Sequence, residues 1–148
     1  MIFREFTPIN GFGLIIVLLM LLPNILYTVR FPGVENRCTN AIANIAEQIG
    51  RYASMALIVL PLGVWKFGFL STFTFLLYLI GNTVLLVLYW VFWFLYFKKQ
   101  TCQLALSLAI TPSLIFLLSG LTLHHWLLVI SGTLFAVSHI YITYVNHK

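Results

Sequence analysis

A glutamate and an arginine one helical turn apart are the residues of this chain best placed to do chemistry. Glu47 and Arg51 stand in "NIAEQIGRYASMALIVLP", beside a run apolar enough to cross a bilayer. Residues four apart lie on the same side of a helix, so these two side chains can pair. An exposed pair that only anchors a helix at a membrane surface contributes about 0–1 kcal/mol. A pair that faces other helices would instead form part of a polar pocket, and the residues alone leave both interpretations open.

Small residues beside this pair indicate which way the helix faces. Ala46, Gly50 and Ser54 recur at four-residue spacing, which lets helices pack closely. At about 100° per residue, Glu47 and Arg51 flank this ridge and do not oppose it. We therefore expect the two side chains to pair with each other at the cytoplasmic rim of a helix bundle. Arg51 is also expected to face inward.

Other polar residues lie inside apolar segments, where burial in lipid is costly. His139 shares a face with Gly132 and Thr143, so it should point at other helices. At about 1.5 Å per residue, Asn24 and His139 reach similar depths in their helices. One hypothesis is a water-accessible cavity in the inner half of the bundle; the other is interhelical hydrogen bonding that fixes the fold. The candidate ligand-binding residues are Asn24, Glu47, Arg51, Tyr52, Asn82 and His139.

Spacings that would mark an enzyme or a metal protein are missing from the sequence. No nucleophile–base pair or ligand set stands at a recognisable spacing, so we predict no catalytic residue, no cofactor and no metal site. His124 and His125 are adjacent, and neighbours on a helix do not share a face. The scattered lysines and arginines make nucleic acid an unsuitable partner. Cys38 and Cys102 fall on the predicted cytoplasmic side, where thiols stay reduced.

Composition decides which solvent surrounds these residues. Of the 148 residues, 61% are hydrophobic and 7% are charged, whereas a soluble domain carries about 25% charged residues. The sequence therefore predicts a single all-α domain over 1–148 that crosses a lipid bilayer as a five-helix bundle. An amphipathic cytoplasmic helix, with isoleucines at helical spacing, is expected before the second span. The predicted spans are about 8–29, 49–67, 73–97, 102–122 and 126–145.

The distribution of positive charge predicts the orientation. Two basic residues, Arg4 and Lys66, fall on one side of a five-span chain, and six fall on the other. The positive-inside rule then places the N-terminus outside and the C-terminus in the cytoplasm of a cell (plasma) membrane protein. Besides the lipid bilayer, a second copy of the chain or another membrane protein is an expected partner, since five helices make a thin bundle.

The segments "EQIGRYASM" and "LSLAITPSLIFLLSG" carry a resemblance to a known group. There the chain resembles short, polytopic bacterial membrane proteins of unassigned function, over most of its length. That resemblance implies a multi-pass membrane protein and no particular activity. Three functions remain open: binding or transport of a small polar solute through the inner-half cavity, and an accessory or assembly role that docks other membrane helices. The third, with the weakest support from residue spacing, is a membrane enzyme in which Glu47 and His139 would serve as acid and base.

Overall fold

The structure, a computed structural model, describes residues 9–60, 69 and 71–148. Those residues form helices and connecting loops, without a strand. The prediction of an all-α fold is confirmed for this part of the chain. Four of the helices are long and apolar enough to cross a membrane by length and composition, as expected for a membrane protein: α1, α3, α4 and α5. The helices are α1 (Gly11–Arg30), α2 (Ala41–Val59), α3 (Thr72–Lys98), α4 (Cys102–Thr122) and α5 (Trp126–His147).

Polar side chains begin three of these helices. The side chains of Asn40, Ser71 and Thr101 each accept a hydrogen bond from the backbone N–H three residues further on. These caps satisfy donors that have no partner inside the first turn. Apolar residues then follow without interruption by polar turns, which explains why α3 and α4 agree closely with the predicted spans 73–97 and 102–122.

The helices form a closed ring in the order α1, α2, α5, α4, α3. The contacts between α2 and α5, α5 and α4, and α4 and α3 are extensive, whereas α1 packs more sparsely against α2 and α3. Consecutive helices run antiparallel, so one end of the bundle carries residues 31–40, 99–101 and 148. We call this end the loop end. The opposite end, which carries residues 10, 59, 71 and 123–125, is called the far end.

Helix α2 runs through the predicted amphipathic segment into the predicted second span, and the cytoplasmic placement of that segment stays a prediction. Residues 41–59 form one uninterrupted helix that packs against α5 along its length, and the described residues show no separate amphipathic helix. Val59 already reaches the far end, where its carbonyl accepts the Asn10 N–H at 2.8 Å. The polar first half finds partners on α5 and on the 31–40 loop, so it does not need the membrane surface. That polarity also keeps α2 out of the group of membrane-spanning candidates.

Some predictions lie outside the described residues. They concern the end of the second span at 61–67 and the two basic residues Arg4 and Lys66. The prediction of free thiols is confirmed, since neither Cys38 nor Cys102 forms a disulfide in the structure. Their cytoplasmic placement stays a prediction, as do the plasma membrane and the orientation of the termini.

Candidate functional site

Glu47 is the centre of a small cluster of polar side chains between α2 and α5. Its side chain is 8% exposed, and it accepts a hydrogen bond from Arg51 one turn further along α2. On the other side its Oε1 lies 3.3 Å from Nδ1 of His139. The prediction that Glu47 and Arg51 pair is confirmed, and the glutamate joins Arg51 to the histidine of α5. A carboxylate removed from water needs such partners to remain charged.

Close packing of α2 on α5 brings these side chains together. A Cβ added to Gly50 would lie 2.6 Å from the backbone nitrogen of Phe135, so only glycine permits this approach. One turn further, Ser54 donates to Ser131 at 3.1 Å. The small-residue ridge of α2 therefore faces α5, as its spacing predicted. Glu47, beside that ridge, is turned toward the bundle and not toward headgroups.

His139 lies between Glu47 and a polar cavity. Its ring stacks on Phe135, with centroids 4.7 Å apart and 16° between the planes. Its Nδ1 faces Glu47, and the residue also belongs to the cavity lining. A carboxylate on one ring nitrogen fixes the orientation of an imidazole and leaves the other nitrogen as a hydrogen-bonding group for a solute.

The cavity opens at the loop end and has a volume of about 640 Å³. Its inner wall includes Asn24, Tyr89 and His139, from three different helices. Asn24 donates to the Tyr89 hydroxyl at 2.7 Å and to the Met20 carbonyl at 2.8 Å, which fixes the amide between α1 and α3. The volume is in the range of small-molecule sites, about 300–1,000 Å³.

A narrower recess of about 200 Å³ shares the same three residues with the cavity. All five helices contribute to its wall. Arg51 supplies a further polar group, and Met20, Met55 and Phe116 are among its apolar residues. The cavity and the recess therefore adjoin at the same polar side chains.

The loop between α1 and α2 covers the mouth of the cavity. Gly33, Val34, Glu35 and Arg37 belong to its lining. The loop is bound to the end of α5 by two hydrogen bonds. The backbone N–H of Arg37 donates to the side-chain oxygen of Asn146 at 2.7 Å, and the Asn146 side-chain amide donates to Asn36 at 3.0 Å. These bonds hold one acidic and one basic side chain at the entrance.

Prolines free backbone carbonyls on both sides of the bundle. Pro23 has no N–H for the Leu19 carbonyl, and the indole of Trp90 on α3 donates to it instead at 3.0 Å. Pro112 likewise cannot donate to the carbonyl of Leu108. That carbonyl, on a residue that lines the cavity, therefore lacks its usual helical donor.

Three of the predicted ligand-binding residues do not line the cavity or its recess. Glu47 reaches the cavity only through His139. Tyr52 is 65% exposed and points away from the bundle, because one residue turns a helix by about 100° from the inward-facing Arg51. Asn82 is buried and bonds to α4 nearer the far end, and its seven-residue spacing from Tyr89 separates the two by about 10 Å along the axis.

Several residues that line the cavity were not among the predicted ones. Tyr89 is uncharged and does not stand out in an apolar helix, but its position on the same helix stripe as Asn82 is visible in the sequence. Asn146 and His147 continue the face of His139 and Thr143 to the end of α5, and His147 contacts the Tyr96 hydroxyl at 2.9 Å. The contribution of the 31–40 loop has no local signature, since it depends on how the loop folds over the bundle.

Comparison with known proteins adds no assignment to this geometry. No protein-family model, no curated protein and no solved structure matches the chain. The resemblance to short polytopic bacterial membrane proteins therefore stays a prediction, and the site has to be interpreted from its own residues.

Proposed function

We propose that this chain is a membrane protein that binds a small polar solute in the cavity at the loop end. The observation that carries the proposal is the polar cavity that extends from the 31–40 loop to Asn24, Tyr89 and His139. Interhelical hydrogen bonds that only fix a fold require no such space. Here the polar groups border an open volume, and the Glu47 carboxylate orients the imidazole beside it.

The charges around the cavity favour a neutral or zwitterionic solute. Glu35 and Arg37 lie at the mouth, and Glu47 and Arg51 lie at the inner end, so the formal charges balance when histidines are neutral. A balanced field neither concentrates nor repels a strongly charged ligand. The apolar wall of the inner recess would accept a short hydrocarbon portion, and Arg51 with Nε2 of His139 would bind the polar group.

Transport would require the far end to open as well. There Asn10 donates to the Ile58 carbonyl and to the Tyr78 hydroxyl, both at 3.1 Å, which joins α1, α2 and α3. Helix α1 is the element best suited to move, because it packs most sparsely and contains a proline. Binding at the loop end and release through a displaced α1 is the transport cycle that we propose.

Thiol accessibility tests the cavity directly. In a Cys38→Ser, Cys102→Ser background, Thr143→Cys places a thiol on the cavity wall at a partly exposed position, and Leu128→Cys places one in the packed core of the same helix. A water-soluble, permanently charged methanethiosulfonate reagent should modify the thiol at 143 and not the one at 128. Millimolar neutral or zwitterionic solutes should then slow the modification at 143 more than multiply charged ones do.

A further substitution separates access from binding. His139→Ala should leave the thiol at 143 reactive but remove its protection by solute. A thiol at 143 that is as unreactive as the one at 128 would contradict a water-filled cavity. Modification that no class of solute slows would contradict solute binding.

A further inference from the structure

A second cavity lies on the outside of the ring, between α1 and α3, and is separate from the proposed solute site. It is an open groove of about 580 Å³ that faces the membrane side of the bundle. It follows α3 from Tyr78 to Phe94, roughly 24 Å at about 1.5 Å per residue. Its walls are almost entirely apolar, with side chains such as Ile16, Leu19, Leu86 and Trp90.

Aromatic pairs join α1 and α3 near both ends of the groove. Phe12 packs against Phe75 at the far end, with ring centroids 5.9 Å apart. Toward the loop end, Tyr27 packs against Trp93, with centroids 5.2 Å apart. Between these pairs the helices leave the groove, which is long enough for an extended hydrocarbon chain and has the α3-to-α1 hydrogen bond of Trp90 in its wall.

One buried polar side chain on the groove wall has an unfilled hydrogen bond. Asn82 is 2% exposed and donates through Nδ2 to the Ser119 hydroxyl at 3.1 Å. Its Oδ1 has no hydrogen-bond partner among the described residues. If the amide is turned over, Oδ1 can accept from Ser119, and Nδ2 then lacks an acceptor. In either orientation Asn82 leaves one polar atom unsatisfied, and a hydroxyl group can satisfy both, because it donates and accepts.

The other polar groups of the groove each make a hydrogen bond. The Tyr78 hydroxyl accepts from Asn10, Thr83 donates to the Leu79 carbonyl at 2.6 Å, and the Trp90 indole donates to Leu19. Asn82 is the buried polar side chain of the groove that has an atom without a partner among the described residues. It lies ten residues into α3, about 15 Å along the helix and near the middle of a hydrocarbon core about 30 Å thick.

We propose that this groove binds a membrane amphiphile with a long apolar chain and a lone hydroxyl, which hydrogen-bonds to Asn82. The depth of Asn82 excludes a charged headgroup, which would have to leave the interface. An ordinary acyl chain fits the walls but leaves the amide unsatisfied. A long-chain or isoprenoid alcohol, or a hydroquinone with an apolar tail, fills the groove and satisfies the amide.

A pair of photoactivatable probes tests this proposal on the full chain in phosphatidylcholine vesicles. One probe is hexadecanol with a diazirine in its chain, and the other is hexadecane with the same diazirine, which can neither donate nor accept a hydrogen bond. We expect the alcohol to label α1 and α3 about five- to tenfold more than the hydrocarbon, the worth of one hydrogen bond. Equal labelling by the two probes would overturn the proposal, because the groove would then hold any lipid chain.

Matched variants locate the preference. Asn82→Leu keeps the groove apolar and should reduce the preference for the alcohol to about onefold. Ser119→Ala removes the same interhelical hydrogen bond but retains the amide, so the preference should persist. Leu86→Trp narrows the groove and should reduce labelling by both probes, whereas Leu127→Trp on α5 should not. Labelling outside α1 and α3 would overturn the assignment, and so would a preference that survives Asn82→Leu. An absence of labelling would overturn it too, because it would mean that the probes do not enter the groove.

Discussion

Glu47 is a carboxylate that contacts a guanidinium on its own helix and an imidazole on another. Its two partners differ in their access to solvent, since the Arg51 side chain is 38% exposed and that of His139 is 25% exposed. Arg51 can therefore reach water if its partner is removed, whereas Glu47 cannot. This asymmetry determines which single substitution is the more damaging.

We expect Arg51→Gln to destabilise the protein more than Glu47→Gln does. Loss of a partner from a buried pair costs about 3–5 kcal/mol, and the partial exposure of Arg51 reduces this to about 2–3 kcal/mol. Unfolding in mixed micelles of both variants and of the double variant measures the coupling, which should exceed about 1 kcal/mol. Arg30→Gln, an exposed arginine at the loop end, is the control and should change stability by less than about 0.5 kcal/mol. Zero coupling would make the pair a surface anchor.

At the scale of the helices, the contact between α2 and α5 positions the site. Gly50 is the point of closest approach, and the space beyond it is occupied by the backbone of α5, which cannot rotate away as a side chain can. A methyl group there must push the helices apart. The displacement would separate Glu47 from His139, three residues along α2, and would alter the cavity wall.

Gly50→Ala should therefore destabilise the protein by about 1–3 kcal/mol, the usual cost of overpacking, and weaken solute binding as well. Gly11→Ala is the matched control, because a Cβ at that glycine meets nothing within 4 Å. Alanine there should be neutral or stabilising by up to about 1 kcal/mol. Thermal unfolding of the two purified variants decides the matter; equal effects would mean that α2 does not pack on α5 at Gly50.

The part of α1 around its proline depends on a hydrogen bond donated by α3. Trp90→Phe removes the donor to the Leu19 carbonyl that Pro23 leaves free, and no water is present at that depth to replace it. The expected cost is about 1–2 kcal/mol. Trp126→Phe, an exposed tryptophan at the far end, should change stability by less than about 0.5 kcal/mol. Chemical unfolding of both variants would refute the assignment if their costs were equal.

At the scale of the whole molecule, the charges lie at one end. Among the described residues, all lysines and arginines belong to the loop end or to α2 near it. That asymmetry is the basis of the orientation that we propose, with the loop end in the cytoplasm. The solute cavity would then open to the cytoplasm.

Site-directed labelling tests this orientation. Gln100 at the loop end and Thr72 at the far end are exposed, and neither is the residue whose side chain caps its helix. In a background without Cys38 and Cys102, Gln100→Cys should react with an impermeant maleimide only from the cytoplasmic side. Thr72→Cys should react only from outside. Labelling of both thiols from the same side would contradict a membrane-spanning α3 whose two ends lie on opposite sides.

Local pattern was sufficient for the helices and for the pairing of Glu47 with Arg51. Apolar runs of span length, caps and prolines act within a few residues, so α1, α3, α4 and α5 follow from the sequence, as does an ion pair at four-residue spacing. The small-residue ridge of α2 also indicated a packed face.

Only the tertiary structure decided which polar residues meet. Asn82 and Tyr89 share a stripe of α3, yet Asn82 lines an apolar groove and Tyr89 lines a polar cavity. The difference arises because α1 packs sparsely against α3. The polar half of α2 lies within the bundle because His139 and the 31–40 loop supply its partners there. Such contacts join residues far apart in the chain, and their energies depend on the packing of whole helices. The sequence determined the helices and their lipid solvent; the packing of α1 and α2 determined the cavity.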